Sequence, residues 1–394
     1  MVFNEIELSS VITDIAAGPF GSNLKVSCFV PCGFPIIDGA NLKGFKVTDN
    51  LTKFVTEEKA RTLSRSIARR GDVVVTISGT LGQIAYIPDD SLYEEYLCSQ
   101  RQFRVSFDTS RVYVPYLVFY FHTNEGQGKI LSFANQTGVP ALSQPLKNFR
   151  KIRIQLPSYD EQRRIASVVE AINDKIECNQ TINDNLQQQA AALFANFYDQ
   201  AETEVGFTEI IQILGGGTPK TGESSYWNGN VPFFTPKDVG LPYTITTEKT
   251  ITEEGLAHCN SRLYPINTVF VTARGTVGKV GLPGVPMAMN QSCYALVGKD
   301  THQLLVYFYT LKVVDRLKHK ASGAVFDAIT TRDFESEIIM KLSDDDAKAF
   351  LDVAEPIYQA VLSNSIENLR LAALRDSLLP KLMSGEIDVS DIQL

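Results

Sequence analysis

Hydrophobic positions follow two different rhythms along this chain. In two blocks, residues 1–157 and 205–343, short β-branched runs are bounded by Gly, Pro and Asn. Such runs are typical of strands joined by turns. In the stretches 158–204 and 344–394, apolar residues recur three and four positions apart, which predicts long helices. The pattern therefore predicts an α+β protein in which two mixed globular blocks alternate with two long helices.

The two globular blocks repeat one plan in the same order. The segment TISGTLG at 76–82 returns as TARGTVG at 272–278, and each copy follows an apolar β-rich run. The offset of about 190 residues is far longer than the repeat of a solenoid, so it indicates a duplicated domain. The other matching segments, first copy before second, are 35–37 and 232–234, 99–100 and 290–291, 116–121 and 304–309, and 137–138 and 322–323.

The first long helix is expected to begin after Ser158, which is a good N-cap, and Glu161 stands at the capping-box position. Its apolar residues fill the a and d slots of a heptad repeat, and the two remaining slots hold Asn179 and Asn183. The apolar slots hold Ile165, Val169, Ile172, Ile176, Leu186, Ala190, Leu193 and Phe197.

The second long helix has the same register, and its two asparagine slots, Asn364 and Asn368, coincide with those of the first. Buried asparagines in an apolar seam cost stability but fix register and partner, so we expect the helices to form an antiparallel coiled coil with each other. A generic helical hairpin or an oligomerisation zipper is the alternative. Pro356 is expected to kink this helix or to start it afresh, and Pro380 to loosen its end.

The net charge of −8 is unevenly distributed. Residues 1–157 carry +3 and residues 205–343 carry +1, whereas the two helical stretches carry −6 each. The mildly basic blocks are compatible with DNA binding, which needs Lys and Arg at phosphates.

No run approaches the roughly 20 apolar residues that span a bilayer, and the N-terminus does not resemble a signal peptide, so we expect a cytoplasmic protein. The six cysteines lack zinc-site spacing, and we expect reduced, mostly buried thiols and no metal site.

Three stretches resemble the DNA-specificity subunit of type I restriction-modification systems. They are IQLPSYDEQRRIA at 154–166, LRDSLLPKLMSGEI at 374–387, and the duplicated strand followed by Gly-Thr-x-Gly. Together with the duplication, the resemblance covers nearly the whole chain.

The resemblance implies that 1–157 and 205–343 are target recognition domains, each reading one half of a split, asymmetric site in double-stranded DNA. It implies that 158–204 is a central spacer helix and that 344–394 is a distal spacer helix with a C-terminal tail. The helices would set the gap and dock two methyltransferase subunits, with contacts at Arg163, Arg164 and Lys381. Restriction and translocase subunits would join them. S-adenosylmethionine, ATP and magnesium would belong to those partners, and this chain would hold no cofactor and do no catalysis.

Candidate DNA-contacting residues lie in the paired polar loops, where side chains of these types read base edges or hold phosphates. The alternatives are tight turns that need Gly, solvated loops and, for Tyr226 with Trp227, an anchor in the core. The polar loops 135–138 and 320–323 are a weaker pair. The candidates are Ser22, Asn23, Lys25, Asn41, Lys43, Ser78, Gly79, Thr80, Gln100, Arg101, Thr218, Lys220, Tyr226, Lys237, Asp238, Arg274, Gly275, Thr276, Asn290 and Gln291.

The sequence contains no catalytic constellation. It has no Pro-Pro pair of the kind an adenine methyltransferase motif needs, and its four histidines form no nucleophile or metal pattern. A coiled-coil scaffold that recruits proteins without binding DNA is the competing interpretation, and an enzyme with a cryptic active site is a third.

Overall fold

The computed structural model describes residues 3–135, 139–240, 242–320 and 328–393. The chain forms two compact units. The first unit combines Met1–Asp174 with Leu371–Leu394, and the second is the continuous segment Lys175–Arg370. Both long helices therefore contribute to both units.

The first unit contains short strands, short helices and the start of a long helix. Its strands are β1 (Asn4–Glu7), β2 (Ile12–Ala17), β3 (Phe34–Ile37), β4 (Phe54–Val55), β5 (Ile67–Arg69), β6 (Val73–Thr76), β7 (Ile84–Tyr86), β8 (Glu95–Cys98), β9 (Gln102–Phe107) and β10 (Arg153–Leu156). Its helices are α1 (Glu57–Thr62), α2 (Val114–Phe121), α3 (Asn124–Leu131), α4 (Pro145–Arg150) and α5 (Tyr159–Gln200), which continues into the second unit. Single 3₁₀ turns span Leu8–Ser10, Gly21–Asn23, Val26–Cys28, Gly39–Asn41 and Ser64–Ser66.

Two sheets and a strand pair build the first unit. One sheet is antiparallel with the order β2-β9-β6-β7, the other has the order β4-β3-β8-β5 with β3 parallel to β8, and β1 pairs with β10. Strand β6 is fully buried and contributes Val73 and Val75 to the main core, where the aromatic helix α2 is also buried. Leu379, Leu382 and Met383, from the far end of the chain, complete that core.

The second unit repeats these elements. Its strands are β11 (Thr203–Gly206), β12 (Ile211–Gly215), β13 (Trp227–Phe234), β14 (Tyr243–Thr244), β15 (Lys249–Ile251), β16 (Val269–Thr272), β17 (Val280–Pro283), β18 (Ala288–Met289), β19 (Cys293–Gly298) and β20 (Ile338–Lys341). Its helices are α6 (Phe207–Ile210), α7 (Glu253–Ala257), α8 (Gln303–Lys320), α9 (Thr331–Glu335) and α10 (Asp344–Ser384), and Ser224–Tyr226 forms a 3₁₀ turn.

The strand pairing confirms the duplication. The order β12-β19-β16-β17 matches β2-β9-β6-β7, the parallel pair β13 and β18 matches β3 and β8, and the pair β11 and β20 matches β1 and β10. The core of this unit takes Phe194 and Tyr198 from α5 and Phe350 and Tyr358 from α10. The fold class predicted from the sequence is confirmed.

Asparagines join α5 to α10, as the register predicts. Within the second unit, the Asn179 amide donates to the side-chain oxygen of Asn368 at 2.8 Å, and the Asn364 amide donates to that of Asn183 at 2.8 Å. The two helices are antiparallel, because residues of increasing number on α5 contact residues of decreasing number on α10. In the first unit, the Arg375 guanidinium donates to Asn173 at 3.0 Å.

The helix ends agree with the sequence except at the prolines. Ser158 and Glu161 form the expected reciprocal cap: the Ser158 amide donates to the Glu161 carboxylate, and the Glu161 amide donates to the Ser158 hydroxyl. Helix α10, however, runs from Asp344 to Ser384 without starting afresh at Pro356 or ending at Pro380. Both prolines are exposed, and the packing of Ala354, Tyr358, Leu379 and Leu382 into the cores outweighs the lost backbone hydrogen bonds.

Candidate nucleic-acid interface

A cleft of about 630 Å³ opens on the first unit at the ends of β3, β6 and β8. It brings together Ser78, Gly79 and Thr80 with Gln100 and Arg101, candidates that are distant in the sequence. The other lining residues are Leu24, Val26, Phe29, Ile36, Asp38, Gly39, Ala40, Lys53, Thr76, Gln83, Ser99 and Gln102.

The wall of the cleft contains a chain of neutral hydrogen bonds that the sequence analysis missed. The hydroxyl of Thr76 donates to the Gln83 side-chain oxygen at 3.0 Å, and the Gln83 amide donates to the Gly39 carbonyl at 2.9 Å. The Ser99 hydroxyl donates to Gln102, whose amide faces the Thr76 hydroxyl at 3.5 Å. Thr76 and Gln102 are fully buried, so these bonds fix the strand ends, and the half-exposed Gln83 continues them to the surface.

One ion pair lies at the mouth of the cleft. The Lys53 ammonium contacts the Asp38 carboxylate at 2.5 Å. Partial burial by itself would raise the pKa of Asp38, but hydrogen bonds from Lys53 and from the Ala40 amide lower this pKa below its ordinary value. The carboxylate is therefore an ionised acceptor with a fixed orientation at neutral pH.

Asn41 and Asp238 occupy equivalent places and hold the turns after β3 and β13. The Asn41 side-chain oxygen accepts from the Asp38 amide at 3.1 Å, and the Asp238 carboxylate accepts from the Thr235 amide at 2.8 Å. Asn41 is 4% exposed and also donates to the carbonyls of Thr48 and Asn50, so its side chain serves the loop instead of the surface. Lys43 is exposed next to this loop.

The Gly-Thr loops have the same backbone in both units. Gly79 and Gly275 adopt φ of +97° and +83°, values that only Gly tolerates readily. Ser78 pairs with Ala141, and Arg274 pairs with Ala328, in isolated antiparallel bridges. Thr80, Arg274, Gly275 and Thr276 are exposed, whereas Ser78 and Gly79 are half-exposed, and Arg101 lies exposed beside Gly79.

Gln100 and Gln291 both tie a glycine-rich loop to the end of a strand. The Gln100 amide donates to the carbonyls of Gly21 at 3.2 Å and Leu24 at 2.7 Å, and the Gln291 side-chain oxygen accepts from the Thr218 hydroxyl. Glycine is needed at the start of each loop, because a Cβ on Gly18 or Gly216 would collide with the carbonyl of Ser99 or Asn290. Ser22, Asn23, Lys25 and Lys220 remain exposed on these loops.

The remaining candidates of the second unit have mixed surroundings. The Asn290 side-chain oxygen accepts from the Ser292 amide at 3.0 Å, and the exposed Lys237 ammonium lies 3.8 Å from the Glu248 carboxylate. The ring of Tyr226 stacks on His258 with centroids 5.0 Å apart. Trp227 is half-buried against Phe233, and its indole N–H donates to the Lys220 carbonyl at 3.2 Å.

The helix residues assigned to partner docking lie on accessible parts of their helices. Arg163 and Lys381 are exposed, and the Lys381 ammonium lies 3.6 Å from the Glu386 carboxylate. Arg164 is half-buried, and its Nε is buried without a hydrogen-bond partner among the described residues.

Part of one weaker loop pair lies outside the described residues, namely 136–138 of the first loop and 321–323 of the second. The described residues contain no group of three or more His, Cys, Asp or Glu side chains that could hold a metal ion. Among the described helices, none combines the length and the apolarity that a membrane crossing requires. Cys98 and Cys293 are buried, which raises the pKa of each thiol to about 12, but Cys32 and Cys178 are exposed, so the expectation of mostly buried thiols was too broad.

Known proteins with similar sequences are specificity subunits. The family model for the type I restriction modification DNA specificity domain matches residues 34–188 and 203–341. The HindI specificity subunit of Haemophilus influenzae is 21% identical, over 82% of this chain and 88% of that protein. The MjaIX specificity subunit of Methanocaldococcus jannaschii is 20% identical, over 86% of this chain and 82% of that protein. The crystal structure of a type I S subunit from M. genitalium has the same fold, with a TM-score of 0.59 at 13% identity over 96% of both chains.

Proposed function

The chain belongs to the family of type I restriction-modification specificity subunits, and from that premise we propose that the cleft of the first unit and the matching edge of the second contact the DNA. Its function is to recognise a DNA sequence, and catalysis is carried by other subunits. Membership of this family does not favour the alternative of a scaffold that binds no DNA.

The observation that carries the proposal is the chemistry of the cleft. Arg101 offers an exposed guanidinium, while Gln83 and Asp38, each already held by hydrogen bonds within the unit, keep further donor or acceptor positions at the same cleft. Arginine pairs with guanine, glutamine with adenine, and a carboxylate accepts from cytosine, so these side chains suit three of the four bases in the major groove. Ser78, Thr80 and the Gly79 loop supply short polar groups at the rim, which suit phosphate oxygens.

The second unit presents a different set of side chains on the same frame. At the Gly-Thr loop it has the exposed Arg274 in the place of Ser78, while Ser292 occupies the place of Arg101. The two loops have the same backbone pairing, but the arginine lies at a different strand end in each unit. Arg101 precedes β9, and Arg274 follows β16. We therefore expect the two units to read different base sequences, which makes the split site asymmetric.

Partner binding is assigned to the long helices. Arg164 is half-buried on α5. With the exposed Arg163 and Lys381, it supplies cationic groups on helices whose sequence segments are strongly acidic overall. We assign these residues to the docking of two methyltransferase subunits, which would carry S-adenosylmethionine, and restriction subunits using ATP and magnesium would join that complex.

The first experiment is a map of N6-methyladenine across the genome of a host that lacks both this chain and its modification partner. Co-expression of the two should produce methylation at a split motif with a fixed gap, and the partner alone should produce none. Co-purification without new methylation would indicate an inactive partner, whereas loss of both would contradict the assigned function.

A second measurement assigns the half-sites to the units. Arg101→Ala should relax base choice at one position of one half-site, and Arg274→Ala should do so only in the other, because each bidentate arginine contributes roughly 1–3 kcal/mol of discrimination. Arg153→Ala and Lys341→Ala, on the equivalent strands β10 and β20, are the controls and should leave the motif intact. Unchanged motifs in both cleft variants would remove these arginines from the interface.

A further inference from the structure

An exposed aromatic side chain stands next to the cleft of the first unit. Phe20 is 79% exposed and Val26 is 80% exposed, and both belong to the loop between β2 and β3. Val26, with Leu24 and Phe29 of the same loop, lines the cleft. Leaving a phenylalanine in water forgoes roughly 1.5–3 kcal/mol of burial, and this one shares its loop with the exposed Val26, which lines the polar cleft.

The backbone of this loop is tied to the unit. Leu24 is 4% exposed and anchors the loop in the core, and the Gln100 amide donates to the carbonyls of Gly21 and Leu24, which follow Phe20. At its base, the Gly18 amide donates to the Gln102 carbonyl at 2.8 Å. The backbone that carries Phe20 is therefore ordered before any partner arrives, which reduces the ordering cost of binding.

Polar groups surround the tip on the same loop. Ser22, Asn23 and Lys25 are exposed immediately after Phe20, and Arg101 lies at the cleft that the loop lines. Hydroxyl, amide and cationic groups of this kind hold the DNA backbone. An apolar side chain next to phosphate-binding groups matches the chemistry of proteins that insert a wedge between base steps and kink the duplex.

We propose that Phe20 is such a wedge and inserts between two adjacent base pairs at the half-site read by the first unit. The proposal rests on the assignment of the cleft to DNA. The matching loop of the second unit, between β12 and β13, contains one aromatic residue, Tyr226, which is half-buried and stacked on His258, and its Pro219 is buried. The kink is therefore confined to one half-site. At that half-site the protein should prefer base steps that unstack easily, although it makes no hydrogen bond to the edges of those bases.

Fluorescence of 2-aminopurine tests the wedge. The full chain, in complex with its methylation partner, is bound to duplexes that carry the mapped site with 2-aminopurine at successive positions. We expect a several-fold rise in fluorescence at one step of the half-site assigned to the first unit, and no rise in the other half-site. Phe20→Ala should lose the rise and bind on the order of ten- to a hundred-fold more weakly, the range of base–aromatic stacking. Phe20→Trp should retain it.

Leu92→Ala is the matched control, since Leu92 is 68% exposed on the same unit but belongs to the loop between β7 and β8, none of whose residues line the cleft. It should leave fluorescence and affinity unchanged, and neither alanine variant should lower the unfolding temperature. A rise that persists in Phe20→Ala, or a tightly bound wild-type duplex with no rise at any step, overturns the wedge while leaving DNA recognition intact. Release of the methylation subunits by Phe20→Ala would identify a protein-docking surface instead. Failure of the wild-type complex to bind the mapped duplex would remove both the wedge and the DNA-reading cleft.

Discussion

At the residue scale, the polar side chains of the proposed DNA interface divide into those that stabilise loops and those that are exposed. Asn41, Asp238 and Gln100 use their hydrogen-bonding groups on backbone of their own unit. Arg101 and Arg274 are exposed. Substituting the first kind should change folding of the loop, and substituting the second kind should change base choice.

The buried asparagines of the helix seam give a stability prediction. Asn183→Ala should lower the free energy of unfolding of the second unit by about 1–3 kcal/mol, because it leaves the Asn364 amide without its acceptor. The double change Asn183→Leu with Asn364→Leu should be neutral or stabilising, since an apolar seam is stronger but less specific. Chemical denaturation measures both, and Asn185→Ala, at an exposed position of the same helix, is the control. A double variant with a lower free energy of unfolding than Asn183→Ala would contradict this prediction.

At the element scale, each long helix contributes buried residues to the cores of both units. Helix α5 contributes Ile165 and Val169 to the first unit and Phe194 and Tyr198 to the second. Its length of 42 residues corresponds to about 63 Å at 1.5 Å per residue. Residues between these two sets pair with α10 through the asparagines, so the helices are suited to setting the gap in the DNA site.

A matched insertion tests that role. Seven residues added after Asp174 in α5, together with seven added after Arg370 in α10, fall at the boundaries between the units and keep the heptad phase. The gap of the methylated motif should lengthen by up to about three base pairs, because seven residues add about 10 Å of helix. Both half-sites should stay the same, as methylation mapping would show. Insertion into α5 alone is the control and should impair methylation, since the asparagine layers then lose their partners.

At the scale of the whole molecule, residues 371–394 complete the first unit, whose other part is formed by residues 1–174. Leu379, Leu382, Met383 and Val389 are buried in the core of the first unit. The second unit, in contrast, is one continuous segment, Lys175–Arg370.

Deletion of residues 371–394 should therefore unfold the first unit and leave the second folded. Each buried apolar side chain contributes roughly 1.5–3 kcal/mol, so four of them rival the 5–15 kcal/mol stability of a typical domain. Hydrogen exchange should show loss of protection in β6 and β9 but not in β16 and β19. The point variant Leu382→Ala should weaken protection in the same strands, and Leu374→Ala, at a position 47% exposed, should not. Equal loss in both units would show that they unfold together.

The sequence by itself determined the features that depend on spacing along the chain. The heptad slots with Asn179, Asn183, Asn364 and Asn368 predicted the antiparallel pair, because neighbours along a helix share a face at fixed intervals. The order of repeated segments predicted the duplicated fold. The cap of α5 was also readable, since Ser158 and Glu161 are only three residues apart.

Only the tertiary structure decided which side chains meet. Asp38, Gln83 and Arg101 come together from three strand ends, and no periodicity encodes such contacts. The local sequence around Asn41 or Gln100 could not show whether the side chain contacts a base or hydrogen-bonds to the backbone of its own loop. The same amide group can do either, and the choice depends on the neighbours that the fold brings to it. The packing of the cores also keeps α10 continuous through Pro356, so the helix does not start afresh there. Phe20 was missed for the same reason: an aromatic residue is usually buried, and only the folded chain leaves this one exposed beside the cleft.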